Sequence, residues 1–207
     1  MLDKWYPSAL RVSPKGTHGT YDFMKTRFAS DATFHYAEFG IYKGDTADNV
    51  CKLFPNAVLH LFDFQENVDA AAKKLGRYPN RIYYYGNTWK HLDSYNWSLM
   101  KLIEKRKGRP CFDYCFLDGA HTVAVDALNF FLADRLLNVG GFMDFDDYVW
   151  RLRGSSLDPS VVPVIAEQYT DEQIDARQVK MIVDELVKRD QRYAMVLENK
   201  VFQKIGA

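Results

Sequence analysis

The stretch His35-Tyr36-Ala37-Glu38-Phe39-Gly40-Ile41-Tyr42-Lys43-Gly44-Asp45-Thr46 joins two kinds of local structure. The run from His35 to Ile41 predicts a strand, and the residues from Asp45 to Phe54 predict a short helix. Gly40 and Gly44 mark the turn between them. Glycine there lets a ligand approach the backbone, and the first amides of the following helix face that ligand. Gly-x-x-x-Gly is equally compatible with a tight turn that binds nothing.

Outward from this unit the pattern repeats. Val58 to Phe64, Arg81 to Gly86, Asp113 to Asp118 and Phe142 to Asp146 predict further strands. Helices are expected over Val68 to Gly76, Trp97 to Lys107 and Val123 to Leu137. Strands alternating with helices in this way indicate βαβ units and a parallel sheet buried on both faces. The C-terminal end differs. A helix from Gln178 to Lys188 leads to Tyr193–Leu197, and only Glu198-Asn199-Lys200 separates that strand from Val201–Ile205. So short a connection requires an antiparallel hairpin. The fold class expected is therefore α/β: a mostly parallel seven-stranded sheet, helices on both faces, and a C-terminal antiparallel hairpin.

With 207 residues the chain suits one domain better than two. We expect a single domain over 1–207, with 1–34 as an N-terminal cap segment and 35–207 as a Rossmann-like core. Tyr21 to Phe28 is expected to form a helix covering the pocket. Lys+Arg and Asp+Glu both number 27, so nothing in the net charge favours nucleic acid or an anionic membrane as partner. Cys51, Cys111 and Cys115 form no zinc-type cluster and are expected to be reduced core residues. The first fourteen residues lack the apolar run of a signal peptide, and no stretch approaches the ~20 apolar residues of a membrane span. A cytoplasmic protein is expected, and homo-oligomer formation is left open.

Candidate site residues lie at strand ends. Asp63 ends the second strand about twenty residues beyond the glycines, where an acid can accept hydrogen bonds from both hydroxyls of a ribose. Gly86-Asn87-Thr88 follows the third strand, and Asp118 ends the fourth beside the topological switch point. Each acid by itself is also compatible with a solvated loop or a helix cap. Tyr42 stands where a dinucleotide-binding Gly-x-Gly-x-x-Gly has its second glycine, which argues against NAD.

Glu38-Phe39-Gly40-x-Tyr42-x-Gly44, Phe62-Asp63-Phe64, Leu117-Asp118-Gly119-Ala120-His121 and Gly140-Gly141-Phe142-x-x-Phe145-Asp146-Asp147-Tyr148 together resemble the class I S-adenosylmethionine-dependent methyltransferases. The narrower resemblance is to the branch that includes macrolide-sugar O-methyltransferases and other small-molecule methyltransferases. It spans residues 35–205 in matching order. By this resemblance Glu38, Phe39, Gly40 and Gly44 would surround the methionine end of the cofactor. Asp63, with Phe64 beside it, would hold the ribose. Asn87 and Thr88 would lie near the adenine, and Asp118 would also border the cofactor.

His121 is the expected general base, three residues beyond Asp118, because a histidine of ordinary pKa ~6.5 suits proton transfer near neutrality. It is also compatible with a helix-start histidine bonded to backbone. Asp118, Asp146 and Asp147 should converge where the fourth and fifth strands end, and would repel unless donors or a cation intervene. Oxygen ligands suit Mg²⁺ or Ca²⁺, and the resembled sugar O-methyltransferases hold such a metal at these positions; carboxylates satisfied by backbone amides are the alternative. Asp144 is out of place inside a buried strand and must find a donor. The irregular stretch from Val149 to Thr170 is a candidate lid. Within it Trp150 could stack on a ring and Arg151 and Arg153 could pair an anion, or all three could belong to an ordinary surface loop. The activity implied is methyl transfer to a hydroxyl of a sugar or glycoside. The alternatives are N-methyl transfer, and a noncatalytic or NAD-binding protein.

Overall fold

The computed structural model of the chain describes residues 15–207. The reading of Met1 to Pro14 lies outside them. Strands β1 (His35–Phe39), β2 (Val58–Phe64), β3 (Arg81–Asn87), β4 (Phe112–Leu117), β5 (Leu137–Phe145), β6 (Tyr193–Leu197) and β7 (Val201–Lys204) form one sheet of order β3-β2-β1-β4-β5-β7-β6. The first five are parallel, while β7 runs antiparallel to both β5 and β6. The order reverses between β1 and β4. The carboxyl ends of these two strands therefore open a crevice, the usual place for a ligand in such sheets.

Period-two alternation assigns side chains to the two faces. Ala37 and Phe39 of β1 join Phe62, Cys115 and Met143 in one core. Covering that core are α4 (Tyr95–Arg106), α5 (Leu128–Leu136) and α8 (Gln178–Ile182), through Leu99, Phe130, Ala133 and Val179. Tyr36 points the other way and joins Leu59, Leu61, Tyr114 and Phe116. This second core lies under α1 (Lys15–Arg27), α2 (Asp45–Leu53) and α3 (Gln65–Leu75), through Phe23, Met24, Val50 and Val68. The expected helix of the N-terminal segment is thus present, but its Phe23 and Met24 belong to the core rather than to a lid.

Some bounds differ from the sequence reading, for physical reasons. α3 starts at Gln65 rather than Val68, directly from the last residue of β2. β5 starts at Leu137, which pairs with Phe112 before an irregularity through Gly140 (φ 89°) brings Phe142 opposite Tyr114. The helix expected over 123–137 opens as a π turn, Val123–Ala127, before α5. The helix over 178–188 closes as another, Val183–Val187. Hydrophobic periodicity does not reveal a π turn, and such turns concentrate at functional sites.

The stretch after Tyr148 folds back on itself. Leu152, Val162, Ile165 and Ile174 form a small buried cluster of their own. It includes α6 (Ile165–Gln168) and α7 (Asp171–Asp175), the latter closed by a Thr170/Gln173 capping box. Arg153 is paired to Asp175 at 2.9 Å and Asp171 at 3.6 Å.

Candidate active site

A cleft of about 2830 Å³ lies over the carboxyl ends of β1 to β5. At its floor Gly40 has φ 88°, and a Cβ there would overlap the carbonyl oxygen of Asp118. Gly40 is therefore required by the close passage of the β4 loop. Gly44 caps α2 at φ 68°, and a Cβ on it would press on Ala71 of α3. Gly44 does not line the cleft, nor does Phe39, which is fully buried in the core. Both act beneath the surface where the resemblance placed cofactor contacts.

Glu38 lines the cleft and is 1% exposed. Tyr36 donates a 2.9 Å hydrogen bond to its Oε2. Burial pushes the Glu38 carboxyl up to about 8, and Asp63 and Asp45 push the same way, against the Tyr36 bond. A pKa raised this far favours the protonated acid at neutral pH.

Asp63 is nearly saturated by the protein. Its Oδ2 accepts the backbone amides of Ile41 and Tyr42, both at 2.7 Å. Its Oδ1 accepts those of Phe64 (2.6 Å) and the Asn67 side chain (3.0 Å). Asp63 thus clamps the turn after β1, where Tyr42 takes a positive φ of 44°. Burial raises its pKa, opposed by these four donors.

At the next strand end the ring of Phe64 stacks on Trp89, with centroids 3.6 Å apart and planes within 10°. Trp89 Nε1 donates to Glu66. Neither Trp89 nor Glu66 is among the residues picked out from the sequence. Asn87 lines the cleft, 5% exposed, and its Oδ1 is buried with no hydrogen-bond partner. A buried acceptor in that condition is costly unless a ligand donates to it. Thr88 turns away: its amide and hydroxyl both bond Asp93 Oδ2 at 2.7 Å, and it is absent from the cleft wall.

The far end of the cleft holds Asp118, His121 and Asp147. His121 Nε2 lies 3.3 Å from Asp147 Oδ2 and 3.9 Å from Asp118 Oδ1. The His121 ring meets Trp150, centroids 5.0 Å apart. Asp118 is held well above the usual carboxylate range by burial and by Asp146, Asp147 and Glu38. Burial also raises Asp147, while His121 opposes the rise. The loop carrying His121 is anchored from below by Asp126 on the π turn. Asp126 accepts the amide of Thr122 (3.1 Å) and, more weakly, that of Ala120 (3.4 Å), as well as the hydroxyl of Tyr95. Gly119 lies so close to Tyr95 that a Cβ would collide with the ring and its oxygen.

Of the three carboxylates expected to hold a metal, Asp118 and Asp147 share the end of the cleft with His121, while Asp146 carries an ion pair of its own. Asp146 Oδ1 pairs with Lys200 Nζ at 3.2 Å, and Lys200 also pairs with Asp144 Oδ1 at 3.0 Å. Asp118, His121 and Asp147 instead present one donor atom each within 4.8 Å of one another. To bind a cation, the oxygen-only set Asp118–Asp146–Asp147 would have to take Asp146 from that lysine. Asp144 finds the partners its position demands: Thr20 (2.7 Å) and Tyr114 (2.5 Å) donate to its Oδ2, and Lys200 forms an ion pair at its Oδ1 (3.0 Å).

No protein-family model matches the chain, and no curated protein matches it either. Solved structures do. An O-methyltransferase from Bacillus cereus in complex with S-adenosylhomocysteine aligns over 94% of this chain and 82% of its own, with TM-score 0.59 and 18% identity. A putative rRNA methylase from Clostridium thermocellum aligns over 94% and 99%, with TM-score 0.60 and 15% identity. The MycE methyltransferase of the mycinamycin pathway, in complex with Mg, S-adenosylhomocysteine and mycinamycin VI, aligns over 91% of this chain but 48% of its own, with TM-score 0.51 and 16% identity. The chain has the Rossmann-like fold of these methyltransferases. The acceptors named for these proteins differ in kind, so the acceptor must be argued from the site.

Proposed function

We propose that this chain, folded as a class I methyltransferase, moves a methyl group from S-adenosylmethionine to a hydroxyl oxygen of a small molecule. The observation that carries this reading is one continuous cleft whose wall runs from the unpartnered Asn87 Oδ1, past Glu38, to the His121–Asp147 pair. Its volume exceeds the roughly 300–1,000 Å³ of a single small-molecule site, leaving room for cofactor and acceptor together.

Asn87 would accept the adenine amino group, and Phe64 and Trp89 would border the base. Glu38 would lose its proton to meet the positive charge of the amino-acid end. Asp63 would act chiefly through the turn it clamps, with the ribose beside it. Bound in this way, the cofactor supplies an electrophilic methyl on a sulfonium. The chain's own task is then to hold the acceptor in line and take its proton. His121 would be the proton acceptor through the ring nitrogen that Asp147 does not hold, and Asp147, paired with Nε2, would orient the ring and stabilise the imidazolium that forms. Such a base contributes ~10²–10⁴-fold in rate.

Trp150 beside His121 supports a ring-bearing acceptor such as a sugar or glycoside. The balanced charge of the chain supports a small molecule over RNA. Since Lys200 holds Asp146, no step is assigned to Mg²⁺. Among the described residues no helix is long and apolar enough to cross a membrane.

The test is methyl transfer from isotope-labelled S-adenosylmethionine to a panel of glycosides, phenols, amines and structured RNA. The reading expects label on a hydroxylated small molecule, and a loss of ~10²–10⁴-fold in His121→Ala with cofactor affinity retained. Label on RNA or an amine alone, or full turnover in His121→Ala, overturns it.

A further inference from the structure

Lys200 sits in the turn between β6 and β7, yet it is pinned into the reacting end of the cleft. Its amide bonds Leu197 O at 3.1 Å, and its carbonyl accepts the Phe145 amide at 2.9 Å. The next residue, Val201, pairs with Asp144 across the β5–β7 ladder. The backbone is therefore fixed on both sides. The side chain is 16% exposed, with Nζ 5.3 Å from the centre of the Phe116 ring and 3.4 Å from the Phe145 carbonyl. Asp144, fully buried, and Asp146, almost so, both face it.

Three acids end at this point, Asp118, Asp146 and Asp147, with Asp144 just behind. Carboxylates gathered in a desolvated space need positive charge nearby. We infer that Lys200 is the resident cation of the reacting end, standing in the electrostatic place of a divalent ion, so that this site works without a metal. The inference rests on the methyltransferase reading for its functional meaning, but its geometry stands apart from it. The ion-paired ammonium, carried on a fixed backbone, supplies positive charge to Asp144 and Asp146 together. A divalent ion would have to displace it to reach three carboxylates. The same positive charge favours the ionised forms of Asp118 and Asp147, against burial and their mutual repulsion. Lys200 is thus a positioning residue: it acts on His121 through the acids flanking the imidazole.

The experiment is a Mn²⁺ titration followed by electron paramagnetic resonance and calorimetry, with S-adenosylhomocysteine binding measured on the same samples. The wild type should show no saturable Mn²⁺ site at micromolar concentrations. Lys200→Met combined with Asp144→Asn removes the ammonium together with the fully buried carboxylate behind it, leaves Asp146 open to a metal ion, and should bind Mn²⁺ at least tenfold more tightly than the wild type. That gain should vanish when Asp146→Asn is added. Saturable micromolar Mn²⁺ binding by the wild type, lost in Asp147→Asn, overturns the inference. So does a folded double variant with no gain. If the double variant fails to fold, the wild-type titration decides alone. Failure of S-adenosylhomocysteine to bind any of these proteins counts against the methyltransferase reading and leaves the metal result intact.

Discussion

His121 and Asp147 face each other across the end of the cleft, Nε2 to Oδ2 at 3.3 Å, and both hold left-handed backbones, with φ of 55° and 57°. They belong to the loops that follow adjacent parallel strands, β4 and β5. Histidine and aspartate tolerate this conformation better than most residues, but it still costs on the order of 1 kcal/mol or more at each. The surroundings enforce it. Asp126 fixes the His121 loop through the Thr122 amide, and Trp150 N–H closes a turn on the Asp147 carbonyl at 2.9 Å. Strain placed on the two groups that meet in the site indicates that their orientation matters more than local comfort.

Replacing Asp147 by glycine should therefore stabilise the fold while harming the chemistry. The change relieves the left-handed backbone and removes a half-buried carboxylate that Asp146 repels. A gain of about 1 kcal/mol corresponds to a Tm rise of roughly 2–4 °C for a chain of this size. Differential scanning calorimetry of Asp147→Gly reads it. A lowered Tm shows that the His121–Asp147 pair outweighs the strain.

Gly40→Ala should do the reverse. An alanine at φ 88° is strained by itself, and its Cβ would meet the backbone of Asp118 and Gly119, which cannot swing aside. A loss of ~3 kcal/mol or more is expected in urea unfolding, with m unchanged. A loss below about 1 kcal/mol would mean that the β1 and β4 loops do not pass as closely as described.

The buried Glu38 carboxyl makes stability depend on pH in a defined direction. Its pKa in the fold, about 8, is raised above its ordinary value near 4.5, so the folded state holds a proton that the unfolded chain has released. Stability is fully present below pH 4.5 and is lost through the window from about 4.5 to 8, by about 1.4 kcal/mol per pH unit from this group. Comparing wild type with Glu38→Gln across that window isolates the effect. The difference between them should grow with pH and level off above 8. A constant difference shows that Glu38 is ionised in the fold throughout.

The alternation of strands and helices and the terminal hairpin were legible because a buried parallel sheet writes its strands as apolar runs, and a three-residue link leaves no room for a crossover. The acids at the strand ends were legible for the same reason, since topology alone brings Asp63, Asp118 and Asp147 to one edge. The partners of those acids were not. Lys200 enters from a turn far along the chain, and nothing in Glu198-Asn199-Lys200 marks it as buried. Asp126 reaches the His121 loop because Val123–Ala127 is a π turn, which shifts the side chain off the helical period. Thr88 looks like a pocket residue until Asp93 captures both its donors. Trp89 becomes a wall of the cleft by stacking on Phe64, a contact between the ends of two strands that neither segment shows by itself.

The central claim is that this cleft takes a sulfonium nucleoside cofactor, and calorimetric titration with S-adenosylhomocysteine at pH 7 in buffers of different ionisation enthalpy tests it most directly. The account predicts one site per chain, with protons released on binding as Glu38 ionises against the ligand's ammonium. Asn87→Ala should weaken that binding by ~1–3 kcal/mol as an acceptor is lost from the base, and NAD should give no heat. Absence of S-adenosylhomocysteine binding to the folded protein, or binding of NAD in its place, would contradict the account.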